Sequence, residues 1–168
     1  MKTCVFAGTF DPITIGHEKL IEKCLSLYEK VIIVVGENAE KTTLFSSLER
    51  AEIISEVYNN NDRILVIEYA NYKENFSSFL LLQGATDYVR GIRNNLDKDY
   101  EQNQIETNKK LYPFINTIFI DCEDKYKQVN STLVRQKLLN GEDANEYMSK
   151  RAFIKAKEIL LQKKQGQN

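Results

Sequence analysis

The chain has 168 residues, 42% of them hydrophobic and 28% charged, with 23 basic side chains against 24 acidic ones and a formal net charge of -1. That length makes one domain, residues 1–168, with enough sequence to bury a core. So even a balance excludes a protein that wraps nucleic acid through a general basic field, while leaving room for a local cluster of Lys and Arg around a phosphate.

Short β-branched runs alternate with segments of helical period. Thr3–Ala7 and Val31–Val35 read as buried parallel strands. Between them Leu20, Ile21, Cys24, Leu25 and Tyr28 recur at helical spacing, which completes a βαβ unit. Ser46-x-x-Glu49 is a capping box ahead of Ala51, Ile53, Ile54 and Val57. The polar run Asn59–Asp62 ends that helix, and Ile64–Ile67 supplies a third strand. A helix around Phe76–Gln83 precedes a short strand at Thr86–Val89. Leu96–Leu111 is an unusually polar helix stopped by Pro113, and Thr117–Ile120 is the fifth strand. Asn130 or Ser131 caps a helix through Leu139 that the pair Asn140-Gly141 closes. A last helix is expected from about Glu146 to Leu161, with residues 162–168 a frayed tail. Without repeat or linker, the pattern predicts an α/β fold, a single-domain, doubly wound, five-stranded parallel sheet.

Cys4, Cys24 and Cys122 are widely spaced and form no C-x-x-C pair, which fits reduced thiols in a cytoplasm. Cys4 and Cys24 fall in apolar patterns as small core residues. With a single histidine they cannot assemble a zinc site. The first residues, MKTCVFAGTF, lack an apolar stretch of secretory length. The longest aliphatic runs fall far short of the roughly 20 residues that span a bilayer. The expectation is a cytoplasmic protein with neither membrane nor nucleic acid as a partner.

Ligands of such sheets bind at the carboxyl ends of the strands, where the strand order reverses. Chemistry is therefore expected just after Ala7, Val35, Val89 and Ile120. The first of these loops, Gly8-Thr9-Phe10-Asp11-Pro12-Ile13-Thr14-Ile15-Gly16-His17, is neither a dinucleotide fingerprint nor a Walker loop. His17, the only histidine, opens a helix whose N–H groups favour an anion and whose dipole favours a neutral ring able to donate one N–H to a phosphate oxygen. Lys41 follows the second strand and, taken alone, is a solvated charge. Arg90-Gly91-Ile92-Arg93 places two phosphate-binding guanidinium groups around a glycine that relaxes the backbone, so that both can turn toward one site. Asp97, Glu101, Gln104 and Asn108 make a polar stripe that suits a solvated face, a pocket lining or an oligomer contact. Asn130, Ser131 and Thr132 cap a helix start and offer polar groups to a phosphate.

The first loop resembles the opening motif of the nucleotidyltransferase superfamily, [HT]-x-G-H, and more narrowly that of the bacterial phosphopantetheine adenylyltransferases. Arg90-Gly-Ile-Arg93 with Tyr100-Glu101 is similar to the same family, and Val129–Arg135 to the superfamily's second motif, I-S-S-[ST]-x-[IV]-R, with Asn130 where Ser is usual. The resemblance implies a Rossmann-like fold and transfer of AMP from ATP to 4′-phosphopantetheine, giving dephospho-coenzyme A and pyrophosphate. It implies that His17, Lys41 and Arg93 are catalytic, with His17 stabilising the transition state. Thr9, Lys41, Phe76 and Arg90 would bind the acceptor. Thr9, Phe10, His17, Gly91, Ile92, Arg93, Glu101 and the run Tyr126, Lys127, Gln128, Val129, Asn130, Ser131 and Thr132 would bind ATP. It further implies Mg²⁺ held through nucleotide phosphates rather than by a protein cage, coenzyme A or dephospho-coenzyme A as product or inhibitor, and a homohexamer. Open alternatives are another adenylyl- or cytidylyltransferase, acting on nicotinamide mononucleotide or an alcohol phosphate, and a non-catalytic nucleotide sensor.

Overall fold

The β-branched runs do become strands: β1 (Thr3–Gly8), β2 (Lys30–Val35), β3 (Ile64–Glu68), β4 (Ala85–Ile92) and β5 (Asn116–Asp121). In the computed structural model, which describes residues 2–37, 42–93 and 98–166, they form one parallel sheet in the order β3-β2-β1-β4-β5. The helices are α1 (Ile15–Leu27), α2 (Ser47–Val57), α3 (Phe76–Leu82), α4 (Lys98–Leu111), α5 (Ser131–Leu139) and α6 (Lys150–Gly166). Strand order reverses between β1 and β4, so the crevice above their carboxyl ends is the place for a ligand.

The period-2 alternation of the strands divides the interior. Cys4, Phe6, Val31, Ile33 and Val35 pack under α1, α2, α5 and α6, contributing to one core with Ile21, Ile53, Val134 and Ala156. Val5, Ile32 and Val34 face the other way, against Phe76, Leu80 and Ile115. The three cysteines are free and buried. Among the described residues no helix is long and apolar enough to cross a membrane.

Ser46 caps α2 as its motif predicts: its hydroxyl accepts the Glu49 N–H at 3.2 Å while Glu49 accepts the Ser46 N–H at 2.8 Å. Asn130, not Ser131, caps α5, its side chain accepting the Leu133 N–H at 2.8 Å. The polar stripe on α4 turns inward, with Asn108 buried and donating to Thr117 of β5 at 3.1 Å. Asp97 lies outside the described residues.

Two expectations need correction. β4 continues through Arg90, Gly91 and Ile92, which pair with Phe119, Ile120 and Asp121, so the arginine motif begins inside the strand. Gly91 is there because helix α1 crosses close: a Cβ at that position would sit 2.5 Å from Leu20 Cδ1. The last helix starts at Lys150 and runs to Gly166. Tyr147 cannot join it because its carbonyl accepts the Ile15 N–H at 2.7 Å, and Ser149 Oγ accepts the Ala152 N–H at the helix start. Residues 162–166 are helical rather than frayed because Lys163 is tied down. Its ammonium meets the Glu49 carboxylate at 2.6 Å and the Leu44 carbonyl at 3.0 Å, and lies 5.5 Å from the centre of the Phe45 ring.

Burial works to raise the Glu49 pKa, but Lys163 and the Ser46 N–H outweigh it and hold the carboxyl below its usual 4.5. A depressed acid stabilises the fold above its unfolded pKa and loses that contribution as pH falls through the folded one. Lys163→Met is therefore expected to lower the Tm by roughly 2–4 °C near neutral pH, about 1 kcal/mol for a half-exposed pair. In thermal melts the difference should close as the pH falls below the ordinary carboxylate range and Glu49 takes up its proton.

Candidate active site

The turn that leaves β1 is wound tightly. Phe10, a bulky residue, has φ 51°, in the left-handed region. Its ring is 2% exposed and lies over Gly8, where a Cβ would meet ring atoms at 3.1 Å, so both positions are fixed by one close approach. Three carbonyls of the turn are held from outside. Arg50 of α2 donates to Thr9 O at 2.6 Å, Arg135 of α5 to Asp11 O at 2.9 Å, and the Ser131 hydroxyl to Pro12 O at 2.9 Å. With these carbonyls engaged by protein donors, their lone pairs are kept from an anion above the turn.

At the far end of the turn His17 takes the part that Glu plays in an ordinary capping box. Thr14 Oγ1 accepts the His17 N–H, and His17 Nδ1 accepts the Thr14 N–H at 3.0 Å. A backbone amide can only donate, so Nδ1 carries no proton and the neutral ring carries it on Nε2. Burial, reinforced by the Arg93 charge, lowers the His17 pKa from 6.5 to about 4. The ring lies edge-on to Phe10, centroids 5.0 Å apart. It is a fixed, neutral, single-tautomer donor.

That donor lines a cavity of about 410 Å³. Thr9 and Phe10 of the turn line it together with Asn130, Ser131 and Thr132 at the start of α5, and Arg93 and Arg135 make it basic. A second recess of about 360 Å³ adjoins it, lined by Arg90, Gly91, Ile92, Arg93, Glu101 and Tyr100 among others. Arg93 is common to both. Arg90 donates to the Tyr100 hydroxyl of α4 at 3.1 Å, with that ring 5.7 Å away, and both arginines also line a smaller recess beside His17. Arg90 lies within β4 and Arg93 just beyond its end, so both reach the crevice at the carboxyl end of the strand. A larger groove of about 540 Å³ lies elsewhere, over β3; Glu52, Glu56 and Glu68 line it, the wrong charge for a phosphate.

Other expected residues fall differently. Phe76 is 5% exposed and belongs to the core under α3, edge-on to Tyr69 and Tyr112, so it fills the interior and does not wall the cavity. Ser131 spends its proton on Pro12 O, which leaves the Thr132 hydroxyl, already accepting from Arg135 at 3.0 Å, as the side-chain donor at that helix start. Tyr126, Lys127, Gln128 and Val129 form the approach to α5 outside the cavity lining; Val129 is buried and Lys127 is paired with Asp124. Lys41 lies outside the described residues.

Sequence reasoning missed a pair of buried charges. Asp11 is 3% exposed and accepts the Leu44 and Phe45 N–H groups at 2.8 and 2.9 Å, with Arg135 3.6 Å away. Arg50 is also 3% exposed. A signal for Arg50 existed: it shares the buried face of α2 with Ile53 and Ile54, at i+3 and i+4. For Asp11 only its place in an otherwise apolar turn hinted at burial. Asp11 lines the cavity, but its oxygens are committed to those amides. Among the described residues no group of three or more His, Cys, Asp or Glu side chains could hold a metal ion.

Residues 5–137 match the cytidylyltransferase-like family model. The chain is 32% identical to the phosphopantetheine adenylyltransferase of Thermotoga neapolitana over 86% of its own length and 88% of that protein's. It is 36% identical to the one from Bacteroides thetaiotaomicron (88% and 95% covered) and 35% identical to the one from Tolumonas auensis (94% and 95%). Among solved structures, the fold resembles that of a bifunctional NMN adenylyltransferase/ADP ribose pyrophosphatase from Francisella tularensis, with a TM-score of 0.64 at 24% identity. That likeness covers 88% of this chain and 44% of the other, and is one of fold alone.

As the sole histidine, His17 gives an imidazole NMR signal that needs no assignment. Its titration is expected near pH 4, with the ring neutral and protonated on Nε2 above that. Because Arg93 is the lesser cause, Arg93→Ala should raise that pKa but leave it below 6.5. The unfolded chain binds the proton first, so this group destabilises the fold progressively as pH falls from 6.5 to about 4.

Proposed function

The chain belongs to the phosphopantetheine adenylyltransferase family of cytidylyltransferase-like domains, and on that premise we propose that it transfers AMP from ATP to 4′-phosphopantetheine, giving dephospho-coenzyme A and pyrophosphate in coenzyme A synthesis. An oxygen of the acceptor phosphate bonds to the α-phosphorus as the bond to the bridging oxygen of pyrophosphate breaks, and the electron pair leaves with pyrophosphate. The attacking phosphate is already ionised at neutral pH, so the step needs no general base. What it needs is screening of two anions and their alignment.

In this reading His17 stabilises the crowded α-phosphorus through Nε2–H. The observation that carries it is the Thr14 N–H bond to Nδ1, which leaves Nε2–H as the donor for the cavity. A neutral N–H donor does not pair as a cation with the Asp11 carboxylate, and burial keeps the ring neutral through the physiological range. Arg93, Glu101, Thr132 and the N–H groups at the start of α5 hold ATP. Arg90, Thr9 and Lys41 receive the acceptor phosphate from the other side of the crevice; bidentate guanidinium contacts suit it. Mg²⁺ enters with ATP as part of the substrate, held through phosphate oxygens, which fits a cavity whose carboxylate, Asp11, is bonded to backbone amides. We extend the reading to a homohexamer working in the cytoplasm and binding coenzyme A on the product side.

The test is pyrophosphate release with ATP, Mg²⁺ and 4′-phosphopantetheine, with nicotinamide mononucleotide, glycerol 3-phosphate and CTP in parallel arms. Release that requires phosphopantetheine, with dephospho-coenzyme A as product, is expected; release only with another pair would overturn the acceptor. His17→Ala should lower kcat by about 10²–10³-fold with little change in either KM. Arg90→Ala should chiefly raise the KM for the acceptor. Near-normal turnover by the His17 variant would remove that residue from the chemistry.

A further inference from the structure

Arg50 sits in the first turns of α2, 3% exposed, and does not line the cavity. Burying a guanidinium is costly, and a well-packed apolar side chain of similar volume would serve the fold as well or better. Its bonds suggest why a charge is there. One nitrogen, Nη1, donates both to Thr9 O at 2.6 Å and to Gly36 O at 2.9 Å, and Nε donates to Phe45 O at 3.1 Å. Thr9 and Gly36 are the residues that follow β1 and β2, and these strand ends are joined again by Gly36 N–H to Gly8 O at 2.8 Å. Phe45, which gives its carbonyl to Arg50, gives its N–H to Asp11. A closed ring of bonds thus runs from Thr9 through Arg50 and Phe45 to Asp11, with the left-handed Phe10 as its fourth side.

We propose that Arg50 is a positioning residue for adenylyl transfer: it holds the Thr9 and Gly36 carbonyls away from the substrate phosphates and so sets the turn on which Thr9, Phe10 and, through the Phe10 ring, His17 meet them. This rests on the transfer reaction assigned above. Arg50 touches no substrate; it acts through the turn. Because the turn sets the alignment of Thr9 and His17 against the reacting phosphates while leaving the lining residues in place, loss of the clamp falls on kcat more than on KM.

The experiment compares Arg50→Lys, which keeps the charge but not the fork, with Arg50→Gln, which keeps a donor but not the charge. Each is assayed with ATP, Mg²⁺ and 4′-phosphopantetheine, well below its own melting temperature, alone and combined with His17→Ala. The expected result for a folded Arg50→Lys is a kcat lower by about 10²-fold, with both KM values within about threefold of wild type. In the His17→Ala background the same substitution should cost much less, since both act through one constellation. Wild-type kcat in a folded Arg50→Lys, or a loss that adds fully to that of His17→Ala, would overturn the proposal. Failure of both variants to fold would overturn it too and make Arg50 a folding residue. A wild-type enzyme that releases no pyrophosphate would instead bring down the transfer reading, and Arg50 with it.

Discussion

The constraint on which the rest of the site depends is the left-handed turn at Phe10. A bulky side chain at positive φ is disfavoured by sterics, at a cost of order 1–3 kcal/mol, and it persists only where surroundings over-determine it. Here they do: donors from α2 and α5 take the carbonyls of Thr9, Asp11 and Pro12, while the Asp11 carboxylate takes two amides in return. Two of the three carbonyl bonds come from guanidinium groups and are charge-assisted, roughly twice as strong as neutral ones. The strain and its compensation lie within one shell of residues, and that shell faces the cavity.

From the fixed turn the chemistry follows by short steps. The turn delivers the chain into α1 with Thr14 as N-cap, and the cap's own amide is what selects the His17 tautomer. The same turn places the Phe10 ring between Gly8 and His17, so the imidazole is bounded on one side by an aromatic edge. The reversal of strand order between β1 and β4 then brings Arg93 to the facing side. Electrostatic preorganisation of this kind acts without reorganisation during the reaction. It explains a basic crevice in a chain whose overall charge is near neutral.

Much of this was legible residue by residue. β-branched runs bounded by turn residues marked the five strands, and Ser46-x-x-Glu49 marked the start of α2, because both signals depend on neighbours within a few positions. The helix start at Asn130 was marked for the same local reason. The errors lie where a distant contact decides. Gly91 was read for backbone freedom, yet it also lies where a Cβ would crowd the end of the Leu20 side chain. The basic, polar tail looked frayed, yet Lys163 reaches Glu49 and Leu44 across the fold. Phe76, expected at a ligand, is buried in the second core, edge-on to Tyr69 and Tyr112.

By itself the sequence determined the fold class and the approximate elements, since propensity and capping are local properties. Only the tertiary structure decided which group each charge would serve. That Arg50 clamps Thr9, that Arg135 and Ser131 hold Asp11 and Pro12, and that Arg90 reaches Tyr100 depend on how α2, α4 and α5 cross the sheet edge. The partners of these bonds stand 41, 119 and 124 residues apart where they pin the turn. No periodicity or motif encodes a pairing across such a span; the packing of helices on a twisted sheet does.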